Sequence, residues 1–151
     1  MSSEAPSGVV IRKATAADVE AIGSLIADEL GYAGMDSTKW PDRFARILAD
    51  GCHQTFVACM SGGVVGFIGL HRGIAYELDE DYLRVIALAV SSAYQRNGIG
   101  RELLHCAEQY AMINGIRHIS LSSGTSREKA HAFYERNGYE KRQWGFVKLI
   151  R

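Results

Sequence analysis

An apolar run, Val85-Ile86-Ala87-Leu88-Ala89-Val90, leads into Gln95-Arg96-Asn97-Gly98-Ile99-Gly100, which in turn opens an amphipathic stretch from Ile99 to Asn114. This order predicts a strand, a glycine-containing loop and a helix. The first backbone N–H groups of a helix have no partner within it, and the helix dipole places partial positive charge behind them. Such a point suits an anion, most often a phosphate. Glycines matter there because a side chain would hold the anion away from the backbone.

The loop matches neither common nucleotide fingerprint. It contains no G-x-x-x-x-G-K-[ST] and no G-x-G-x-x-G, so P-loop and Rossmann readings both fail, and an ATP- or NAD-binding domain is disfavoured. Instead it reads Gln-x-x-Gly-x-Gly, with Arg96 inside the pattern.

That pattern resembles the acyl-CoA loop of the GNAT (GCN5-related N-acetyltransferase) family. A second segment, Ala130-His131-Ala132-Phe133-Tyr134-Glu135-Arg136-Asn137-Gly138-Tyr139, resembles the family's A-x-x-F-Y-E-x-x-G-[FY] motif and begins about 35 residues after Gln95. The order of elements agrees from about Val9 to Arg151. The resemblance implies an α/β fold, with a mixed, mostly antiparallel central sheet flanked by helices on both faces.

Length and composition are consistent with that fold. A chain of 151 residues is one domain by size, and 47% hydrophobic residues can fill a core. Residues 1–8 are polar, lack an apolar signal core and read as a loose tail, leaving residues 9–151 as the domain. The 17 basic and 17 acidic residues cancel, and no basic block points to nucleic acid. No apolar run approaches the length of a membrane span. Cys52, Cys59 and Cys106 have neither a disulfide nor a zinc spacing, so no metal is expected. Cys59 and Cys106 read as small buried hydrophobes, and the cysteine usage suggests a reducing, cytoplasmic setting.

Periodicity places the remaining elements. Val9–Lys13 alternates as a strand. Thr15-Ala16-Ala17-Asp18 is a helix-start signature, followed by an apolar stripe through Val19, Ile22, Leu25, Ile26 and Leu30. Trp40, Phe44, Ile47 and Leu48 form a second helical stripe. Gln54–Met60 and Val64–Leu70 are strands joined around Gly62-Gly63, and His71–Asp81 reads as a loop. Tyr82–Val90, without polar alternation after Arg84, is expected to be central and covered on both faces. Ile116–Ser122 is a strand, and Thr125-Ser126-Arg127-Glu128 starts a helix that Gly138 ends. Tyr139–Gln143 and Trp144–Ile150 read as closing strands.

The resemblance assigns roles residue by residue. The backbone of Leu88, Ala89 and Val90 would meet the pantetheine arm of acetyl-CoA. Gln95, Arg96, Asn97, Gly98, Ile99, Gly100 and Arg101 would cradle its pyrophosphate, with Arg96 adding a charge-assisted contact. Tyr134 stands where the family has its general acid, the donor to the departing thiolate. Many members carry Asn at the position of Arg127, which makes Arg127 a weak site candidate. His131 reads as a packing or surface histidine.

The general base is open. Arg84 occupies a place where an acidic residue would be convenient. Glu77, Asp79, Glu80 and Asp81 stand nearby and could act directly or through water, or attract a cationic substrate. A solvated acidic turn explains them equally well, and His53 and His71 are further candidates.

These readings together describe an acetyl-CoA-dependent N-acetyltransferase acting by direct attack of a primary amine in a ternary complex. The acceptor is a small-molecule or peptide amine, and a homodimer is compatible with the reading. The alternative is a non-catalytic CoA-binding sensor or interaction module of the same fold.

Overall fold

A computed structural model describes residues 8–123 and 127–150. They fall into two compact units, one running to Ser120 and one beginning at Leu121. Five strands, β1 (Val10–Lys13), β2 (His53–Met60), β3 (Gly63–Gly73), β4 (Tyr82–Val90) and β5 (His118–Leu121), form one sheet in sequential order. The β1–β2, β2–β3 and β3–β4 pairs are all antiparallel. Helices α1 (Val19–Glu29) and α2 (Trp40–Ala49) precede β2, α3 (Ile99–Ile113) links β4 to β5, and α4 (Glu128–Arg136) lies in the second unit. The mixed α/β, mostly antiparallel architecture is as the sequence implies.

Side chains alternate across each strand, and the alternation divides the core in two. Val57, Phe67 and Ala89 cluster with Ile22 and Leu25 of α1 and with Trp40 and Phe44 of α2. Their immediate neighbours face the other way. Phe56 meets Tyr110 of α3 with ring centroids 6.1 Å apart, and a Cβ built on Gly66 would lie 3.3 Å from Leu103 Cδ1. The same Cβ would lie 3.0 Å from the Ala89 carbonyl oxygen, so Gly66 lets β4 and α3 close onto β3. Helices therefore cover both faces of the sheet. On the first face, Trp40 Nε1 donates to the Val19 carbonyl at 2.7 Å and fixes α2 against α1.

Several boundaries follow the expected chemistry. Gly115 and Gly138 adopt φ of 70° and 90° and close α3 and α4 as left-handed caps. The hairpin turn uses Ser61-Gly62, both at positive φ, one residue earlier than expected. Among the three free cysteines, Cys52 is exposed while Cys59 and Cys106 are half-buried rather than fully buried. Burial pushes the Cys106 thiol above its ordinary value. Among the described residues no helix is long and apolar enough to cross a membrane.

Three expectations are corrected. The segment from His71 is not all loop. Strand β3 runs on to Gly73 because His71, Arg72 and Gly73 find partners in Arg84, Leu83 and Tyr82. Strand β4 is not covered along its whole length. The register jumps from Gly69↔Ala87 to Leu70↔Val85, leaving Ile86 unopposed in a β-bulge and 47% exposed. The segments Tyr139–Gln143 and Trp144–Ile150 are not strands. Alternation alone makes no ladder without a neighbouring chain, and Phe146, Val147, Leu149 and Ile150 are exposed. Thr125 and Ser126, expected to begin the last helix, lie outside the described residues.

The entry to α1 depends on one buried carboxylate. Asp18 accepts two hydrogen bonds from Arg12, at 2.8 and 2.9 Å, and one from the Thr15 backbone N–H at 2.8 Å. Arg12 holds the Asp18 carboxyl below its ordinary value, with Thr15 adding to the effect and burial opposing it. A depressed folded-state pKa gives stability that is present above the unfolded value of about 3.9 and is lost as pH falls through the folded one. Asp18→Asn should therefore lower the melting temperature at neutral pH and flatten its acid dependence below about pH 4. Parallel melting-temperature curves for both proteins between neutral pH and pH 2 would contradict this role.

Candidate active site

After β4, the Ser91 N–H donates to the Val65 carbonyl at 2.8 Å, and a single 3₁₀ turn, Ser92–Tyr94, brings the chain to Gln95. Two left-handed residues then reverse it, Arg96 at φ 66° and Gly98 at φ 83°. Such a conformation is routine for glycine and costs an arginine roughly 1–2 kcal/mol. Gly98 occupies the N-cap of α3 and no side chain caps the helix there. The first backbone bond of α3 runs from the Glu102 N–H to the Gly98 carbonyl at 3.0 Å, so the N–H groups of Ile99, Gly100 and Arg101 lie ahead of the helical ladder. Ile99 is 1% exposed and, with Leu103, Leu104, Ala107 and Ala111, anchors α3 on the sheet. The loop residues Gln95 to Gly98 are exposed at the helix mouth.

Glu29, at the end of α1, holds this loop. Its Oε2 accepts from the Ser92 N–H at 3.0 Å and its Oε1 from Gln95 Nε2 at 3.4 Å. Gln95 Nε2 also donates to the Val90 carbonyl at 2.9 Å, tying loop to strand. Nothing in the spacing of Glu29 announces this contact, which spans 63 residues of chain. Leu88 and Val90 are half-buried and Ala89 is buried, in the last residues of β4 before the loop.

On the face covered by α1 and α2, a narrow cleft of about 100 Å³ opens at the bulge, lined by His53, Thr55, Phe67, Gly69, Ile86 and Ala87 among others. A wider hollow of about 550 Å³ lies beside the α1–α2 connection, between Tyr32, Met35 and Arg43. Ile26 and Trp40 line both and form a common wall. The Arg43 guanidinium sits 5.3 Å from the Trp40 ring centroid, a cation–π distance.

The members of the acidic stretch differ in their surroundings. Asp81 Oδ2 accepts from Arg72 Nε at 2.6 Å, and Arg72 Nη1 donates to Asn114 Oδ1 at 3.1 Å at the end of α3. Asp81 is thereby committed to holding the helix terminus, and Glu77 and Asp79 are exposed. Arg84 stands opposite His71 in the β3–β4 register.

In the second unit, α4 carries Tyr134 half-buried between two rings, Phe133 at 5.4 Å and Tyr139 at 6.3 Å. Burial raises the Tyr134 phenol above its ordinary value, against a smaller opposing effect of the Arg127 charge. A phenol, whose ordinary value is about 10, is protonated at neutral pH, and burial moves this one further from ionisation. Arg127 is exposed ahead of α4, and His131 is half-buried on it.

A strand, a left-handed glycine loop and an uncapped helix on a largely antiparallel sheet define the GNAT class of fold. Residues 19–139 match the model of the Acetyltransferase (GNAT) family, and the chain belongs to that family. It is 31% identical over 140 residues to the aminoalkylphosphonate N-acetyltransferase of Salmonella typhimurium, covering 93% of this chain and 90% of that one. Among solved structures, a transcriptional regulator from Bacillus halodurans C-125 superposes with a TM-score of 0.88 at 25% identity, over 94% of this chain and 99% of that one. An aminoglycoside N-acetyltransferase in complex with CoA has the same fold, with a TM-score of 0.84 at 14% identity over 100% of this chain and 99% of the other.

Proposed function

We propose that this protein transfers an acetyl group from acetyl-CoA to the primary amine of a small molecule, by direct attack within a ternary complex. The observation that carries the reading is the loop at α3, where Gly98 in a left-handed conformation leaves an uncapped helix start with open N–H groups. That arrangement suits a pyrophosphate. Gln95, Arg96, Asn97, Gly98, Ile99, Gly100 and Arg101 cradle it, and the backbone of Leu88, Ala89 and Val90 receives the pantetheine arm. Tyr134 donates a proton to the CoA thiolate as the amine nitrogen bonds to the acetyl carbon. The amine enters as its free base, having lost its proton to water or to a carboxylate such as Glu77, Asp79 or Glu80. No covalent acyl-enzyme is involved.

The acceptor is a small amine that also carries an anionic group. Two facts support this choice. The relative at 31% identity, matched over 90% of its length, is named for aminoalkylphosphonates. The wide hollow beside α1 and α2 has the Arg43 cation in its lining.

The test is thiol release from acetyl-CoA with aminoalkylphosphonates, neutral alkylamines, an aminoglycoside and a lysine peptide as acceptors. Turnover should be highest with the phosphonates. CoA binding without thiol release from any acceptor would favour a sensor of the same fold.

Arg96→Ala separates the phosphate contact from the rest of the cofactor. Loss of one charge-assisted hydrogen bond should weaken CoA by roughly 1.5–3 kcal/mol, at least tenfold in Kd, and leave pantetheine unaffected. Equal losses for the two ligands in calorimetric titrations would place Arg96 elsewhere.

A further inference from the structure

The end of α2 and the β2–β3 pair bring together three side chains. Asp50 follows α2, and its Oδ2 accepts from the Cys52 N–H at 3.2 Å, which fixes the turn into β2. His53 opens β2 and lies directly opposite His71 on β3. Directly paired residues on antiparallel strands project to the same face. Their rings accordingly meet edge to face with centroids 4.7 Å apart. His53 Nδ1 is 2.6 Å from Asp50 Oδ2.

The geometry points to a divalent transition-metal site formed by Asp50, His53 and His71. One potential ligand atom from each lies within 4.8 Å of the other two. Metal–ligand bonds of about 2.0–2.2 Å put the ligand atoms of a tetrahedral site roughly 3.4 Å apart, an adjustment that side-chain rotation can supply. Both histidines are half-buried and carried by paired strands, so much of their ordering is complete before an ion arrives.

The donor set selects the ion. Two imidazole nitrogens and a carboxylate oxygen suit zinc, nickel, cobalt or copper rather than calcium or magnesium. Three protein ligands leave a position for water or a second molecule, as in zinc sites that bind exchangeable ligands. His53 also lines the narrow cleft at the bulge. Arg84 stands opposite His71 in the β3–β4 register. The site is tested by binding.

Chelator-treated full-length protein should be titrated with Zn²⁺ by calorimetry and with Co²⁺ by visible absorption. One equivalent should bind, with cobalt d–d bands of a nitrogen and oxygen environment. His53→Ala, His71→Gln and Asp50→Asn should each weaken binding at least tenfold while keeping the wild-type circular dichroism spectrum. Cys52→Ser should bind as the wild type does. Failure to bind at micromolar Zn²⁺ would overturn the site, leaving a hydrogen-bonded Asp50–His53 pair. So would unchanged affinity in the histidine variants, or a sulfur-to-cobalt charge-transfer band.

Discussion

Replacing Gly98 with valine should abolish measurable acetyl-CoA binding while leaving the fold in place. Gly98 sits at φ 83°, a region that a β-branched residue resists. The residue is exposed at the N-cap of α3, so the substitution overpacks no core. The folded state should lose about 1–2 kcal/mol from the left-handed conformation, which a domain with 5–15 kcal/mol of stability tolerates. The ligand loses far more. A side chain at this point would hold the pyrophosphate away from the N–H groups of Ile99, Gly100 and Arg101. Two charge-assisted hydrogen bonds at roughly 1.5–3 kcal/mol each correspond to a hundredfold or greater loss of affinity. Gly98→Asn separates the two effects, because asparagine enters the left-handed region readily but still carries a Cβ. Both variants should fail in calorimetric titration. Normal binding by the asparagine variant would make loop conformation, rather than access to the backbone, the property that Gly98 supplies.

That loop was legible in the sequence because its signals are local. An apolar run, two glycines and a 3.6-residue stripe fall in consecutive positions, and each has a short-range physical cause. Tyr82–Val90 and the start of α3 at Ile99 were therefore placed to the residue. Errors arose where a partner elsewhere in the chain decides the outcome. His71 to Gly73 continue β3 because Tyr82 to Arg84 return alongside them. Phe146-Val147 and Leu149-Ile150 have the composition of a strand but form no ladder among the described residues. The bulge at Ile86 is a property of the β3–β4 register, which composition does not encode.

The contacts that shape the site are long-range in the same way. Glu29 reaches Ser92 and Gln95 only because α1 packs on the face of the sheet from which the loop departs. Asp50, His53 and His71 have no recognisable ligand spacing. Hairpin register, not a motif, sets the two histidines side by side. Cysteine spacing led to the expectation of no metal, and it tests only the thiolate sites.

Tyr134→Phe should lower kcat by ~10²–10⁴, the usual worth of general-acid assistance, with little change in the Kd of acetyl-CoA. The ring is retained, and with it the edge-on packing against Phe133 and Tyr139. Melting temperature should therefore stay near the wild-type value. Only the hydroxyl is lost, a group whose ionisation burial pushes further above neutral pH. If it protonates the departing thiolate, its contribution grows as the carbon–sulfur bond breaks and is nearly absent in the ground state. A loss confined to the transition state lowers kcat and leaves cofactor affinity unchanged. The pH profile adds a second readout. The wild-type rate should fall at high pH as the phenol ionises, above the ordinary tyrosine value of about 10, and the phenylalanine variant should lack that limb. Wild-type turnover at saturating acceptor would return Tyr134 to a purely packing role. Weakened acetyl-CoA binding would make its hydroxyl a cofactor contact instead.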